Sequence, residues 1–250
     1  MTMSTLSDPR VIGHRGASGA APENTLPAIA LAADMGVAMV EFDVKLTRCG
    51  VPVLMHDDLV DRTTDGHGPA AGFDLAAFQA LDAGRWFDDR FSGTRVPTLG
   101  ETIELLVARD LDANVEIKPC PGRTAETARL VVEMLLRLWP ADKRPPLLSS
   151  FEMEALATAR DLAPDLPRAL LFETLPPPAE MDRLTADLAP VAVHLWERPI
   201  DADVVAAVHG RGLALRAWTV NDPIRAVHLV RLGVDAVFSD FPDRILGALA

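Results

Sequence analysis

Two pairs of charged residues lie at alternate positions of apolar segments. Glu41 and Asp43 are two residues apart in VEFDV, and Glu116 and Lys118 are two residues apart in NVEIK. Alternate side chains of a strand share a face, so the two carboxylates of VEFDV project together. Such neighbouring charges on a buried strand are costly unless a cation neutralises them, and carboxylate oxygens suit Mg²⁺ or Ca²⁺. We hypothesise a divalent-metal site of Glu41 and Asp43 with Glu116 as third ligand; the alternatives are a solvated edge strand and a local salt bridge.

Two histidines end similar apolar segments, His14 in RVIGH and His56 in PVLMH. A single histidine at a strand end is more often structural than catalytic. Two of them beside carboxylates and cations form a set suited to metal-assisted phosphoryl chemistry. In this hypothesis Arg15 and Lys118 bind phosphate oxygens, one histidine activates the nucleophile, and the other protonates the leaving oxygen.

Other nucleophiles and histidines are weaker candidates. Ser149 and Ser150 are adjacent at a strand end, without the Gly-x-Ser-x-Gly elbow of a serine hydrolase. The remaining histidines lack acid-rich strand neighbours, and we interpret them as structural or surface residues: His67, His194, His209 and His228.

Short apolar segments alternate with longer helical patterns along the chain. The candidate strands are RVIGH, AMVEFDV, PVLMH, ANVEIK, PLLSSF, RALLF, VAVHL, LALRAW and DAVFSD. This alternation predicts parallel strands joined by helical crossovers. With PVLMH taken as a strand extension, eight units remain, which predicts an α/β fold of the (β/α)8 TIM-barrel type with its active site at the carboxyl ends of the strands. A doubly wound sheet is the alternative, although no Gly-x-Gly-x-x-Gly motif supports a dinucleotide site.

One segment interrupts the alternation, at about residues 57–98. It is rich in glycine, aspartate and aromatic residues and is too long for an ordinary loop between a strand and a helix. We expect a single barrel domain over residues 1–250, with this insertion as a small subdomain after the second strand, over one end of the barrel.

Composition narrows the range of partners. The formal net charge of −12 argues against nucleic-acid binding and stable association with an anionic membrane. Residues 1–10 lack the basic start and apolar run of a secretory signal, and no uncharged apolar stretch approaches the ~20 residues of a membrane span. We therefore expect a cytoplasmic protein.

The two cysteines give no sign of a metal site or a disulfide framework. Cys49 and Cys120 have no metal-site spacing, so free thiols are expected.

A series of motifs carries a family resemblance. In order along the chain, they are HRGASGAAPENT, EFDVKLTRCGVPVLMHDD, DRTTDGHG, VPTLGE, NVEIK, SSF, AWTVN and GVDAVFSDFP. This series resembles the glycerophosphodiester phosphodiesterases over nearly the whole chain. The resemblance implies a TIM barrel with an insertion after the second strand and one bound Mg²⁺ or Ca²⁺. It also implies hydrolysis of small substrates such as glycerophosphocholine or glycerophosphoethanolamine to sn-glycerol 3-phosphate and an alcohol.

The resemblance assigns roles to eight residues. It implies His14 and His56 as the acid/base pair, Glu41, Asp43 and Glu116 as metal ligands, and Arg15, Lys118 and Trp218 as substrate-binding residues.

The small residues after the first strand suggest close approach of a phosphate to the backbone at Gly16, Ala17 and Gly19. Glu23 is expected near the metal without binding it. The chain departs from the family pattern at Cys49, where an aspartate is usual in the turn, and at Gly100, where an acid is frequent.

Two other functions remain open at this point. A lysophospholipase D would use the aromatic residues of the insertion as an acyl-binding lip, whereas we expect them to form the insertion's own core: Phe73, Phe78, Trp86, Phe87 and Phe91. A barrel that binds phosphodiesters without turnover would need no acid/base pair. The sequence is compatible with a monomer or a homodimer.

Overall fold

The computed structural model describes residues 9–250. Each of the nine candidate strands contains a strand: β1 (Val11–His14), β2 (Met39–Leu46), β3 (Pro52–Leu54), β4 (Asp112–Ile117), β5 (Leu147–Ser150), β6 (Arg168–Phe172), β7 (Ala192–Trp196), β8 (Ala214–Trp218) and β9 (Ala236–Ser239). The α-helices are α1 (Leu26–Asp34), α2 (Leu75–Gln79), α3 (Leu99–Ala108), α4 (Thr124–Leu138), α5 (Met153–Leu162), α6 (Pro178–Leu188), α7 (Ala202–His209), α8 (Pro223–Leu232) and α9 (Pro242–Leu249).

The sheet closes on itself. Strands β1, β2 and β4 to β9 are parallel, and β1 pairs with both β2 and β9. Strand β3 pairs antiparallel with the second half of β2, as the strand extension that the sequence predicts. The (β/α)8 TIM barrel is confirmed, and the alternative of a doubly wound sheet is wrong because that sheet would have open edges.

Several helices begin at a residue whose side chain caps them. Thr25 caps α1 in the sequence PENT, and its side chain accepts from the amide of Ala28. Thr98 and Glu101 form a reciprocal capping box at α3, in which each side chain binds the other's backbone amide. These caps fix where each helix starts, and therefore how each loop leaves the mouth of the barrel.

Strand β2 shows how the barrel sorts its side chains. Val40, Phe42 and Val44 are buried in the main apolar cluster between strands and helices. Glu41 and Asp43 alternate with them and face the barrel interior, as the two-residue period of a strand requires. The sequence VEFDV thus contributes to the core with one face and to the barrel mouth with the other.

The insertion forms its own small core against β3. Phe78 is fully buried there with Val60, Ala83 and Val96, and Phe73 packs on Phe78 at 5.5 Å between ring centroids. The other aromatic residues form a second chain of ring contacts, at 5.6 Å for Trp86–Phe87 and 5.8 Å for Phe87–Phe91.

Within residues 9–250, the helices are too short or too polar to span a lipid bilayer. The prediction that residues 1–10 carry no secretory signal falls largely on residues 1–8, which lie outside the described part of the chain.

Candidate active site

The carboxyl ends of β1, β2 and β4 bring the acidic residues together. In the parallel register His14 lies opposite Glu41, and Asp43 lies opposite Glu116. Glu41, Asp43 and Glu116 are all buried, and each offers a carboxylate oxygen within 4.8 Å of those of the other two. These are the three residues that the sequence predicts as metal ligands.

The negative charges of Glu41 and Glu116 are destabilised by burial and by repulsion within the cluster. Burial, together with the charges of Asp43 and Glu116, raises the pKa of Glu41 well above its ordinary value. Burial and the charge of Asp43 raise the pKa of Glu116 to about 7. Glu41 Oε2 accepts from the amide of Arg15 at 3.0 Å, whereas Glu41 Oε1 is buried without a hydrogen-bond partner among the described residues. A cation between the three groups would relieve both effects.

Two cations flank the acidic cluster. Arg15 Nε lies 3.3 Å from Asp43, and Lys118 Nζ lies 2.9 Å from Glu116 and 3.5 Å from Asp43. Burial alone would raise the pKa of Asp43, but Arg15 and Lys118 outweigh it and hold that pKa below its ordinary value. Asn24 adds a hydrogen bond of 2.8 Å to Asp43. Asp43 is therefore the carboxylate of the three that is most firmly ionised.

The turn after β1 aims Arg15 at this cluster. Arg15 and Gly16 both have positive φ, 53° and 83°. A Cβ atom on Gly16 would lie 2.5 Å from the backbone of Ala28 in α1, and one on Gly19 would collide with the ring of Phe241. The small residues of this loop are thus explained by close packing of the chain, a different reason from the phosphate approach that the sequence suggests.

His14 is held by a residue from the last strand. His14 Nδ1 donates to Asp240 Oδ1 at 2.6 Å, and the same carboxylate accepts from Ser18 at 2.8 Å and Asn221 at 2.6 Å. Nδ1 is thereby occupied, which leaves Nε2, 4.0 Å from Glu41, on the side of the acidic cluster.

His56 has an equivalent carboxylate from the next residue in the chain. Its Nδ1 donates to Asp57 at 2.6 Å, and Asp57 in turn accepts from Arg62 Nε at 2.6 Å. Arg62 also makes two hydrogen bonds of 2.7 Å to Glu23, which binds Arg15. Arg62 belongs to the insertion, so the insertion fixes one histidine and, through Glu23, one cation of the site.

These residues surround one pocket at the barrel mouth, which we call the mouth pocket. Its empty volume is about 380 Å³, which includes space open to solvent. Seven of the eight predicted site residues line it, and Asp43 lies directly behind Arg15 and Lys118. Trp218 forms one wall and meets Phe151 edge-on at 5.6 Å. Among the described residues that line this pocket, none of the five insertion aromatics is found.

Comparison with known proteins identifies the family to which this arrangement belongs. The sequence matches the family model of the glycerophosphoryl diester phosphodiesterases over residues 14–244. This chain belongs to the glycerophosphoryl diester phosphodiesterase family. The resemblance and the enzyme class expected from the sequence are both confirmed.

Individual relatives align with this phosphodiesterase over nearly the whole length of both chains. The glycerophosphodiester phosphodiesterase of Caldanaerobacter subterraneus subsp. tengcongensis is 33% identical over 241 residues, 94% of this chain and 96% of the relative. The structure of an Oleispira antarctica phosphodiesterase in complex with the product sn-glycerol-3-phosphate is 40% identical and superimposes with a TM-score of 0.93, covering 96% of each chain. An Agrobacterium tumefaciens glycerophosphodiester phosphodiesterase gives 29% identity and a TM-score of 0.77, covering 96% of this chain and 99% of that one.

The site of the phosphodiesterase contains residues that sequence reasoning missed. Asp240, Asn221 and Ser18 orient His14, and Asp57 and Arg62 orient His56. Asp240 ends the last strand segment, DAVFSD, so its position at a strand end was a usable signal. Arg62 lies in the family motif DRTTDGHG, but the motif did not reveal its contacts, because these depend on the path of the insertion.

Asp240→Asn is expected to lower kcat by about 10- to 100-fold and to change KM by less than about threefold, because a neutral partner no longer stabilises a protonated His14 ring. Steady-state kinetics with glycerophosphocholine and a thermal melt would check this. Ser92→Ala, a change in the insertion on the surface, serves as control. An unchanged kcat in a folded Asp240→Asn protein would show that this hydrogen bond is only structural.

Proposed function

We propose that this phosphodiesterase hydrolyses small glycerophosphodiesters, such as glycerophosphocholine and glycerophosphoethanolamine, to sn-glycerol 3-phosphate and an alcohol. The observation that supports this most directly is the combination, in one pocket, of a buried carboxylate cluster and two histidines held through Nδ1 by carboxylates. The complex of the Oleispira antarctica relative with sn-glycerol-3-phosphate agrees with it. We further propose that the chain forms one catalytic domain.

The acidic cluster fits one divalent cation. Three carboxylates within 4.8 Å, one with an unpartnered buried oxygen, outnumber the two cations that touch them. An all-oxygen donor set suits Mg²⁺ or Ca²⁺, and we propose Glu41, Asp43 and Glu116 as the ligands. When bound, such a cation polarises phosphate oxygens and offsets the charge that develops on them.

Arg15 and Lys118 are proposed to hold the phosphate beside the cluster. Both are largely buried at the mouth pocket, and both are anchored by carboxylates: Arg15 by Glu23 and Asp43, and Lys118 by Glu116. A guanidinium has five N–H donors and an ammonium has three, so each keeps donors for phosphate oxygens after these contacts. Trp218 is proposed to pack against the glycerol unit.

The two histidines are proposed to divide the proton transfers. Burial is the largest influence on the pKa of His56 and lowers it; Arg15 and Lys118 act in the same direction, whereas Asp43 and Asp57 oppose it, and the net shift is downward. His56 is therefore neutral at neutral pH and suited to accept a proton from the nucleophile. His14 is suited to protonate the leaving oxygen, because within residues 9–250 the Asp240 carboxylate accepts hydrogen bonds only from neutral groups besides His14.

The substrate panel that tests this function includes the lysophospholipase D alternative. We expect glycerophosphocholine to exceed lysophosphatidylcholine in kcat/KM by at least tenfold, about 1.4 kcal/mol of transition-state stabilisation. The reason is that Phe78 and its aromatic neighbours pack within the insertion, away from the pocket lining. Released sn-glycerol 3-phosphate is detected enzymatically, with Mg²⁺ and with excess chelator.

Each comparison in this experiment has an outcome that would contradict the proposed function. A tenfold preference for the lysolipid would make the insertion an acyl-binding site. Full turnover after metal is removed and its absence verified would contradict the role of the acidic cluster. Binding of glycerophosphocholine without any turnover would support a non-catalytic barrel instead.

A further inference from the structure

One residue of the insertion connects two of the proposed functional groups. Arg62 Nε donates to Asp57 at 2.6 Å, and Arg62 Nη1 and Nη2 each donate to Glu23 at 2.7 Å. Asp57 also accepts from His56, and Glu23 also accepts from Arg15 at 2.7 Å. The five residues thus form a continuous chain of hydrogen bonds from the proposed base to a proposed phosphate-binding cation, with Arg62 at its centre.

The geometry at the centre of this chain requires an arginine. Three guanidinium nitrogens of Arg62 donate, one to Asp57 and two as a bidentate pair to Glu23. A planar fork can make these contacts, whereas the single nitrogen of a lysine cannot. Both carboxylates are largely shielded from solvent, with 12% of the Glu23 side chain and 27% of the Asp57 side chain exposed. Bidentate ion pairs in a network fix side chains in place, whereas isolated exposed pairs contribute little.

The two carboxylates of the chain are firmly ionised. Burial raises the pKa of Glu23, but Arg62 and Arg15 outweigh it and hold that pKa below its ordinary value. Burial also raises the pKa of Asp57, but hydrogen bonds from Arg62 and His56 outweigh it and lower that pKa to about 2. Each carboxylate therefore divides its charge between Arg62 and one functional group of the site.

The packing of the insertion determines where Arg62 lies. Val60 is fully buried in the core of the insertion, and Thr63 and Thr64, which follow Arg62, are also buried. Thr64 Oγ1 donates to the carbonyl of Val60 at 2.7 Å, and Thr63 Oγ1 lies 3.7 Å from Sδ of Met55, directly after β3. The side chain of Arg62 thus projects from a well-packed turn toward the barrel.

We propose that Arg62 is a positioning residue that makes proton transfer at His56 and phosphate binding at Arg15 depend on each other. The inference rests on the proposed function, which assigns these two roles. Without Arg62, Glu23 and Asp57 lose the partner that they share, and displacement of a reacting group by about 1 Å can cost about 100-fold in rate. Arg62 itself is not among the described residues that line the mouth pocket, so it acts only through its two carboxylates.

Arg62→Met removes the guanidinium and keeps an unbranched side chain. We expect kcat for glycerophosphocholine to fall by about 10- to 100-fold. The affinity for inorganic phosphate, measured by calorimetry at fixed Mg²⁺, should fall by about three- to tenfold because Arg15 is less firmly held. Arg90→Met is the matched control, since Arg90 is an exposed arginine of the same insertion that pairs with Asp88. That change should leave both values within about twofold of the wild type.

A double-mutant cycle separates this role from a merely structural one. Asp57→Asn should weaken phosphate binding by about threefold in the wild-type background and leave it unchanged in the Arg62→Met background, because the effect passes through Arg62. Glu23→Gln and Asp57→Asn should also be non-additive in kcat. The double variant should keep at least about fivefold more activity than the two single losses multiplied together. A residue that only clamped the insertion to the barrel would lower the unfolding temperature and give no such coupling.

Unchanged kcat in a folded Arg62→Met protein would overturn the inference, as would additive losses for Glu23→Gln and Asp57→Asn. Circular dichroism identifies an Arg62→Met protein that fails to fold, and the cycle in the wild-type background then decides alone. If no glycerophosphodiester is hydrolysed, the proposed function is refuted, while the effect of Asp57→Asn on phosphate affinity still tests the link through Arg62. Normal turnover with additive losses would refute only the inference.

Discussion

Glu41→Gln is expected to abolish metal binding and turnover together. The dissociation constant for Mg²⁺ should rise by more than about 100-fold, because loss of even an outer partner of a metal ligand costs about 10- to 100-fold. Glutamine keeps the size of the side chain and removes its charge. Titration calorimetry gives the affinity, and release of sn-glycerol 3-phosphate gives the turnover.

A second signature separates this result from simple misfolding. Without metal, Glu41→Gln should unfold at the same temperature as the wild type or a higher one, because it removes one of three buried carboxylates that repel each other. Added Mg²⁺ should then raise the unfolding temperature of the wild type but not that of the variant. Glu104→Gln, on the exposed side of α3, is the matched control. Unchanged metal affinity in both Glu41→Gln and Glu116→Gln would show that the ion binds elsewhere.

Removal of either histidine should reduce turnover of glycerophosphocholine by about 10²- to 10⁴-fold, the usual range for a general acid or base. The two variants should differ on a diester of glycerol with p-nitrophenol, a leaving group that needs little protonation. There His14→Ala should recover most of its activity and His56→Ala should not. His67→Ala, in an exposed part of the insertion, is the control. Near-normal kcat of either variant on glycerophosphocholine would show that its role is misassigned.

The pH profile gives an independent check on His56. Its folded-state pKa lies below the ordinary value of 6.5, and a base must be neutral to act. Activity is therefore kept as the pH falls to 6.5 and is lost only below it, as His56 gains a proton. An acid limb of kcat/KM centred above 6.5 would contradict the assignment of this residue as the base.

The part of the site that lies on strands was predictable for two reasons: side chains alternate between the two faces of a strand, and parallel strands end at one rim of the barrel. Glu41, Asp43 and Glu116 alternate with apolar residues, so the sheet face follows from the sequence alone. Parallel strands then place all carboxyl ends at one rim, which brings in His14. The sequence could not supply distances, and therefore could not tell a carboxylate cluster from a set of salt bridges. The structure shows three carboxylates within 4.8 Å of one another and a salt bridge from Lys118 to Glu116 in the same place.

Residues of the pocket that neither carry a charge on a strand nor end a strand could not be predicted from the sequence. His194 lines the mouth pocket and follows the same alternation as Glu41 and Asp43, but its segment, VAVHL, carries no second polar residue to mark the inner face of the strand. Asn114 also lines the mouth pocket, but a single uncharged side chain in NVEIK did not mark it in the sequence. Arg62 acts through Asp57 and Glu23, and the path of the insertion that brings these three together is not encoded by any local pattern.

The hydrogen bond between His14 and Asp240 has a consequence for the synthesis of the enzyme. The two residues are 226 positions apart: His14 ends β1 and Asp240 directly follows β9, and these two strands pair to close the barrel. During translation His14 leaves the ribosome 226 residues before Asp240, so the histidine lacks this partner while all the strands between them are made. The order of the strands along the chain thus delays the orientation of His14 until β9 docks. A circularly permuted gene that begins between two other strands would encode these two residues close together and make their pairing an early, local event.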